Sequence, residues 1–276
     1  MKTRLVAIPL LCILCLGVRA QDHVFEWKRI PMDNSRTGCI PATADNVPEA
    51  IGKLEGDRYT APNGRSFKGG ATPRVAAILL EAQPALAPLK EVIAQSAEYM
   101  DTAYPESALS NWFVDELMRA VADSTGKKVD IGVTNFGGIR CPMPKGDVIK
   151  EDILSMFPFK NNLCYVALKG SDVRYLLKEM AATRFQVLGG VRVVAKDGKL
   201  VSVEVDGKPL DDNKVYGVAT INFLLNGGDG LQVARNAKEL IILDKYIIDT
   251  MLPFVTSYGK EGRLIEYQTD GRVTLL

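Results

Sequence analysis

Two glycine-rich turns carry the residue types that could bind a small ligand. The first is Asn135-Phe136-Gly137-Gly138-Ile139-Arg140 and the second is Asn226-Gly227-Gly228-Asp229-Gly230. Arg140 offers a planar fork of donors that suits a carboxylate or phosphate. Asp229 can accept from ribose hydroxyls, and Asn135 both donates and accepts. Glycine lets the backbone approach a ligand closely, although each turn alone is also typical of an ordinary connection.

Two aromatic residues stand close to similar turns. Phe159 follows Pro158, and Phe223 lies three residues before Asn226. An exposed pair of rings facing each other would hold a flat base between them, each stacking contact being worth about 1–3 kcal/mol. Phenylalanine is more often a core residue, so the alternative for both positions is ordinary packing.

The histidine and cysteine counts exclude several kinds of catalysis. His23 is the single histidine of 276 residues. A catalytic thiol needs a basic partner, and a two-metal hydrolytic site needs several converging ligands. We therefore expect no catalytic residue and no metal site in this chain. Beyond residue 20 the cysteines are Cys39, Cys141 and Cys164, an odd number that allows at most one disulfide among them.

The first 20 residues read as a signal peptide. Lys2 and Arg4 precede an apolar run from Leu5 to Gly17, and Val18-Arg19-Ala20 resembles a cleavage site. The run is shorter than the roughly 20 residues that a membrane span needs. Cleavage removes three basic residues and no acidic one, so the formal net charge changes from +1 to −2. This balance indicates no nucleic-acid partner, and the segment predicts a periplasmic or secreted protein without a membrane span.

The elements that would position these turns alternate between helices and strands. Residues 21–72 are rich in proline and glycine and predict an irregular extension, followed by one domain over residues 73–276. A helical stretch from Thr72 to Met100 is expected to break at Pro84 and Pro88. The other predicted elements are a helix over Ser107–Thr125, a strand over Val129–Val133, a helix over Ile149–Met156, strands over Leu163–Leu168 and Val215–Thr220, and a helix over Lys245–Tyr258.

Two hairpins decide the type of sheet. The Asp197-Gly198 and Asp270-Gly271 dipeptides are typical of tight turns between antiparallel strands. Antiparallel hairpins among alternating helices and strands predict a mixed sheet covered by helices, an α/β (α+β) fold.

Five motifs in a fixed order carry a resemblance to a known family. They are Thr134-Asn135-x-Gly137-Gly138-Ile139-Arg140, Phe157-Pro158-Phe159-x-Asn161, Leu168-Lys169-Gly170, Gln186-Val187-x-Gly189-Gly190, and Asn222-Phe223-Leu224-x-Asn226-Gly227-Gly228-Asp229-Gly230. The series resembles the C-terminal substrate-recognition domain of the secreted 5′-nucleotidase and UDP-sugar hydrolase family. It extends from about residue 74 to the C-terminus.

The resemblance implies a role for each matching residue. Phe159 and Phe223 match the rings that stack on the nucleobase, and Asp229 matches the carboxylate that holds ribose hydroxyls. Arg140 matches a basic residue that contacts the phosphate or carboxylate-like end of the substrate. Asn135 and the Gly189-Gly190 turn match base-contacting positions. The family usually places a further substrate-binding arginine three residues before the position of Glu106, where this chain has Ala103.

The resemblance also implies a missing function. Family members carry an N-terminal metallophosphoesterase domain whose motifs are absent here. The favoured hypothesis is a nucleotide-recognition component of a split 5′-nucleotidase, with metal-dependent hydrolysis supplied in trans by a separate chain. Two alternatives are a nucleoside-binding protein for scavenging or sensing, and an inherited fold that only mediates contacts.

Overall fold

The computed structural model describes residues 33–43 and 45–276. The predicted signal peptide and His23 lie outside the described residues. Within that part of the chain, no helix is long and apolar enough to cross a membrane.

The described elements alternate along the chain. The strands are β1 (Lys53–Glu55), β2 (Arg58–Thr60), β3 (Ser66–Lys68), β4 (Val92–Ser96), β5 (Ile131–Thr134), β6 (Gly146–Ile149), β7 (Asn162–Lys169), β8 (Val187–Gly189), β9 (Val191–Lys196), β10 (Lys199–Val205), β11 (Lys208–Pro209), β12 (Val215–Ile221), β13 (Glu239–Tyr246), β14 (Leu264–Ile265) and β15 (Val273–Leu275). The α-helices are α1 (Val47–Ile51), α2 (Ala71–Leu86), α3 (Ala108–Thr125), α4 (Lys150–Met156), α5 (Gly170–Ala182) and α6 (Ile247–Lys260).

A five-stranded mixed sheet forms the centre of the molecule, in the order β13-β7-β12-β5-β8. Strand β7 is buried from Leu163 to Leu168, because helices cover both faces of the sheet. The mixed sheet covered by helices confirms the predicted fold class.

Helix α3 packs on this sheet as the apolar spacing predicts. Trp112, Phe113 and Leu117 are all buried. The Ser107 hydroxyl caps the first turn by accepting from the Ser110 N–H at 3.1 Å. Gly126 ends the helix in the left-handed conformation, with φ of +65°.

The segment preceding the main domain is more regular than predicted. Strands β1, β2 and β3 form a small antiparallel sheet, and Tyr59 and Ala61 pack against Ala76 of α2. The prediction of an irregular extension over 21–72 is therefore wrong for this part. Three-residue strands are too short to display an alternating pattern, so the turns between them dominate the sequence signal.

The predicted helical stretch up to Met100 is also wrong in its second half. Helix α2 continues through Pro84 and is followed by a short 3₁₀ turn over Ala87–Lys90. The chain then enters β4, which pairs antiparallel with β6 and parallel with β14. Pairing with strands distant in sequence overrides the local preference here.

Of the two predicted hairpins, only the first forms. Asp197 and Gly198 have φ of +48° and +72° and join the antiparallel strands β9 and β10. The hairpin at Asp270-Gly271 is wrong, since β14 pairs with β4 while β15 pairs in parallel with β9. A turn dipeptide cannot reveal whether its flanking strands pair with each other or with separate sheets.

Candidate functional site

The sheet topology brings three of the sequence motifs to one edge. Strands β5 and β12 are parallel, with Ala219 opposite Gly132, so both end on the same side. Strand β7 runs antiparallel to β12, with Leu163 opposite Ile221, and therefore begins there. The turns that follow β5 and β12, and the loop that precedes β7, consequently meet at this edge.

A side-chain hydrogen bond joins the two glycine-rich turns. Asn135 Nδ2 donates to Asp229 Oδ2 at 2.7 Å across 94 positions of sequence. Asn135 is only 5% exposed, and its Oδ1 is buried without a hydrogen-bond partner among the described residues. In this arrangement Asn135 fixes the position of the Asp229 carboxylate, and its contact with a base stays a prediction.

The Asp229 turn depends on its glycines. Asp229 itself has a left-handed backbone, with φ of +48°, between Gly227 at +109° and Gly230 at +76°. A Cβ at Gly228 would lie 2.1 Å from the carbonyl oxygen of Phe223. The motif therefore lets the turn fold back closely over the Phe223 segment and present Asp229 to solvent.

Phe159 and Phe223 are not core residues. Their exposed fractions are 46% and 45%, which excludes the alternative of ordinary core packing. Their segments are tied together because the Asn162 N–H donates to Asn222 Oδ1 at 3.0 Å. Two half-exposed rings at one sheet edge are compatible with base stacking, which stays a prediction.

Arg140 is exposed beside this pair. Its Cζ lies 5.8 Å from the centroid of the Phe159 ring, and its guanidinium donates to the Gly137 carbonyl at 3.3 Å. Within the described residues no carboxylate lies within 4.0 Å of it. Its charge is thus available to an anionic group at the same edge.

Gly189 and Gly190 lie away from the other predicted residues. Gly189 is opposite Gly132, near the beginning of β5, whereas Asn135 follows the end of that strand. A Cβ at Gly189 would lie 2.7 Å from Met118 Sδ, and one at Gly190 would lie 2.2 Å from the Asp130 carbonyl oxygen. These glycines allow α3 and the start of β5 to pack closely, and this placement lends no support to the predicted base contact.

Gln186 is the residue of that motif that does reach the edge. Its Oε1 accepts from the Phe136 N–H at 3.2 Å, which holds the first glycine-rich turn. The antiparallel register, with Val187 opposite Thr134, places it there. Because Gln186 begins the fourth sequence motif, it could have been included among the predicted site residues. The pairing of β8 with β5, which brings it to the edge, has no signal in the sequence.

A buried arginine forms a second polar cluster that sequence reasoning missed. Arg272 donates to both carboxylate oxygens of Asp115, at 2.9 and 3.1 Å, to Asp270 at 2.9 and 2.8 Å, and to the Leu188 carbonyl. The Tyr267 hydroxyl also donates to Asp115. Hydrogen bonds from Arg272 lower the pKa of the Asp270 carboxyl, while burial and Asp115 raise the pKa of Tyr267. The cluster joins α3, β8 and the C-terminal segment.

The three described cysteines carry free thiols. Cys164 is buried in β7, and burial raises the pKa of its thiol to about 12. A protonated, buried thiol is a poor nucleophile.

Within residues 33–43 and 45–276, no three His, Cys, Asp or Glu side chains are grouped so that they could hold a metal ion. The described residues therefore do not fit a two-metal hydrolytic site.

Comparison with known proteins identifies the family. The model of the 5′-nucleotidase C-terminal domain matches residues 91–236, and the chain belongs to this family. Protein UshA of Yersinia enterocolitica is 43% identical over 107 residues, which are 37% of this chain and 19% of that protein. The cell wall protein Lmo0130 of Listeria monocytogenes is 28% identical over 184 residues, 60% of this chain and 23% of that protein.

A solved structure extends the similarity. The 5′-nucleotidase precursor of Thermus thermophilus matches with a TM-score of 0.63 and 26% identity, covering 82% of this chain and 47% of that chain. The chain thus spans less than half the length of the relatives that it matches.

Proposed function

We propose that this chain is the nucleotide-recognition component of a 5′-nucleotidase system. A nucleotide binds at the edge where β5 and β12 end, with its base between Phe159 and Phe223 and its ribose hydroxyls on Asp229. The observation that carries the proposal is the Asn135–Asp229 hydrogen bond, which unites two distant motifs beside two half-exposed rings.

The hydrolytic step is assigned to a separate metallophosphoesterase chain. The resemblance places that activity in the N-terminal domain of the family, whereas the family model that matches this chain is that of the C-terminal domain. A partner in trans would receive the phosphate end of a nucleotide whose base and ribose this domain holds. Binding and cleavage would then reside in two chains, with divalent metals in the partner.

An exposed helix face offers a docking surface for that partner. Val75, Ile78 and Leu79 are spaced by three and four residues on α2 and are 53%, 66% and 48% exposed. The opposite side of α2 packs on the small N-terminal sheet through Ala76. The helix ends at Leu86, just before the match to the C-terminal domain begins at residue 91, and we assign the metallophosphoesterase chain to this apolar face.

The proposed location is the periplasm or cell surface. It is supported by the N-terminal sequence pattern and by a relative described as a cell wall protein.

Isothermal titration of the full chain with AMP tests the recognition claim. The wild-type chain is expected to bind saturably, and the double variant Phe159→Ala, Phe223→Ala is expected to lose at least about 30-fold in affinity, since two stacking contacts contribute about 1–3 kcal/mol each. The matched control is Phe254→Leu. Phe254 packs on Trp112, with ring centroids 5.9 Å apart, and is not part of the proposed site. AMP binding that survives the double change would contradict the site.

Co-purification from the native host tests the division of labour. A metal-dependent nucleotidase activity should accompany the chain and disappear when the partner is removed. Hydrolysis by the isolated chain that resists chelation would refute the proposal. Saturable binding with no associated hydrolase would instead favour a nucleoside-binding protein.

A further inference from the structure

A second arginine lies beside the Asn135 turn without a carboxylate partner. Arg184 is exposed in the connection between α5 and β8, and its Cζ lies 4.7 Å from the centroid of the Tyr104 ring. Within the described residues, no carboxylate lies within 4.0 Å of its guanidinium. Stacking on an aromatic face leaves the N–H donors at the rim of the guanidinium free to bind another group.

Two contacts hold Arg184 at the candidate site. Tyr104 packs edge-on against Phe136, with ring centroids 6.3 Å apart, and Phe136 is part of the first glycine-rich turn. Two residues after Arg184, Gln186 accepts from the Phe136 N–H. Both the platform under Arg184 and its own chain segment are therefore attached to the same turn.

Arg184 lies close to the position where the resemblance implies a substrate-binding arginine that this chain lacks. Tyr104 directly follows Ala103, the position where the resemblance expects a substrate-binding arginine. Arg184 reaches the same neighbourhood from another segment. Arg140 lies over Phe159 at 5.8 Å and donates to the Gly137 carbonyl, so two stacked guanidinium groups border the turn.

We propose that Arg184, presented by Tyr104, forms with Arg140 a subsite for the phosphate group of the ligand. This inference rests on the proposed function. It makes the physiological ligand an anionic nucleotide and not a neutral nucleoside, because two uncompensated guanidinium groups favour a phosphate and gain little from a hydroxyl.

Paired titrations with AMP and adenosine test the subsite on the full chain. Arg184→Gln is expected to weaken AMP binding about 10- to 100-fold, about the loss of one charge-assisted hydrogen bond, and to change adenosine binding less than twofold. Tyr104→Leu, which removes the platform and keeps the charge, should weaken AMP binding by a smaller factor. The salt dependence of AMP affinity should become shallower in Arg184→Gln, since one cation fewer faces the phosphate.

The control is Arg263→Gln, which removes a guanidinium stacked on Tyr258 at 4.1 Å at the end of α6. It should leave both affinities unchanged. An unaltered AMP-to-adenosine ratio in Arg184→Gln overturns the subsite while leaving the base site intact. If wild-type protein binds neither ligand, the subsite and the proposed function both fail.

Discussion

At the scale of single residues, Gly138 leaves the space that the Asn135 amide occupies at the site. A Cβ there would lie 2.8 Å from Asn135 Oδ1, whereas a Cβ at Gly137 would lie 3.5 Å from Asn135 Nδ2, an ordinary contact. We expect Gly138→Ala to displace the Asn135 amide and to cost about 1–3 kcal/mol in the free energy of unfolding. Gly137→Ala is the matched control and should cost less than about 0.5 kcal/mol. Urea unfolding of both variants measures the difference, and equal costs would show that the side chain of Asn135 moves freely.

Cys164 provides a second test at this scale. Because burial raises the pKa of its thiol to about 12, the thiolate fraction at pH 8 is very small. Iodoacetamide should label Cys164 in the native chain at least tenfold more slowly than Cys141, which is partly exposed. Peptide mass spectrometry follows both sites, and in urea the two rates should converge. Rapid native labelling of Cys164 would mean that β7 opens readily at this edge.

At the scale of elements, Arg272 joins parts of the chain that are distant in sequence. Its guanidinium forms a bidentate ion pair with Asp115 of α3 and a second ion pair with Asp270. These ion pairs hold the segment for which the sequence predicted a hairpin. Arg272→Leu leaves Asp115, Asp270 and the more distant Glu106 without their cation. It is expected to cost about 2–4 kcal/mol, less than for a fully buried pair because Asp270 is half exposed. Thermal and urea unfolding measure this loss. Arg192→Leu, a nearby exposed arginine, should cost less than about 0.5 kcal/mol.

The same cluster predicts a dependence on pH. Arg272 lowers the pKa of Asp270 in the folded state. The contribution of this ion pair to the free energy of unfolding is therefore complete above the unfolded pKa of about 3.9, and it is lost as the pH falls through the lower folded pKa. The stability difference between wild type and Arg272→Leu should therefore narrow below pH 4. A difference that is constant from pH 7 to pH 2.5 would assign the loss to packing alone.

At the scale of the whole molecule, the apolar face of α2 should govern association with the partner chain. Ile78 is 66% exposed, so Ile78→Asp is expected to leave the stability of this chain nearly unchanged. It should weaken association with the co-purified phosphoesterase at least tenfold, because a charge would be buried in an apolar interface. Glu81→Lys, an exposed change on the same helix, is the control. Unaltered association in Ile78→Asp would move the interface elsewhere.

Sequence patterns predicted the elements whose own residues carry a periodic, apolar or turn signal. Three elements were predicted in this way: the helix over Ser107–Thr125, the Asp197-Gly198 turn and the buried strand β7. Each can be recognised from its own residues, because an apolar face or a turn dipeptide does not depend on which strand lies beside it. Sequence patterns failed at β4 and at the Asp270-Gly271 turn. There the backbone pairs with strands more than 50 residues away, and such pairing leaves no local signature.

For this protein, the sequence by itself determined the family motifs, the mixed fold and the residue types of the site. Glycines that permit close approach and polar residues at strand ends can be identified directly from the sequence. Tertiary structure alone decided which of them meet. The parallel register of β5 and β12 joined Asn135 to Asp229, and the antiparallel register of β7 and β12 brought the Phe159 and Phe223 segments to the same edge. The antiparallel pairing of β5 with β8 placed Gly189 and Gly190 at the other end of β5. Tertiary packing also placed Arg184 over the ring of Tyr104, the residue that follows Ala103, although the two segments are far apart in the chain.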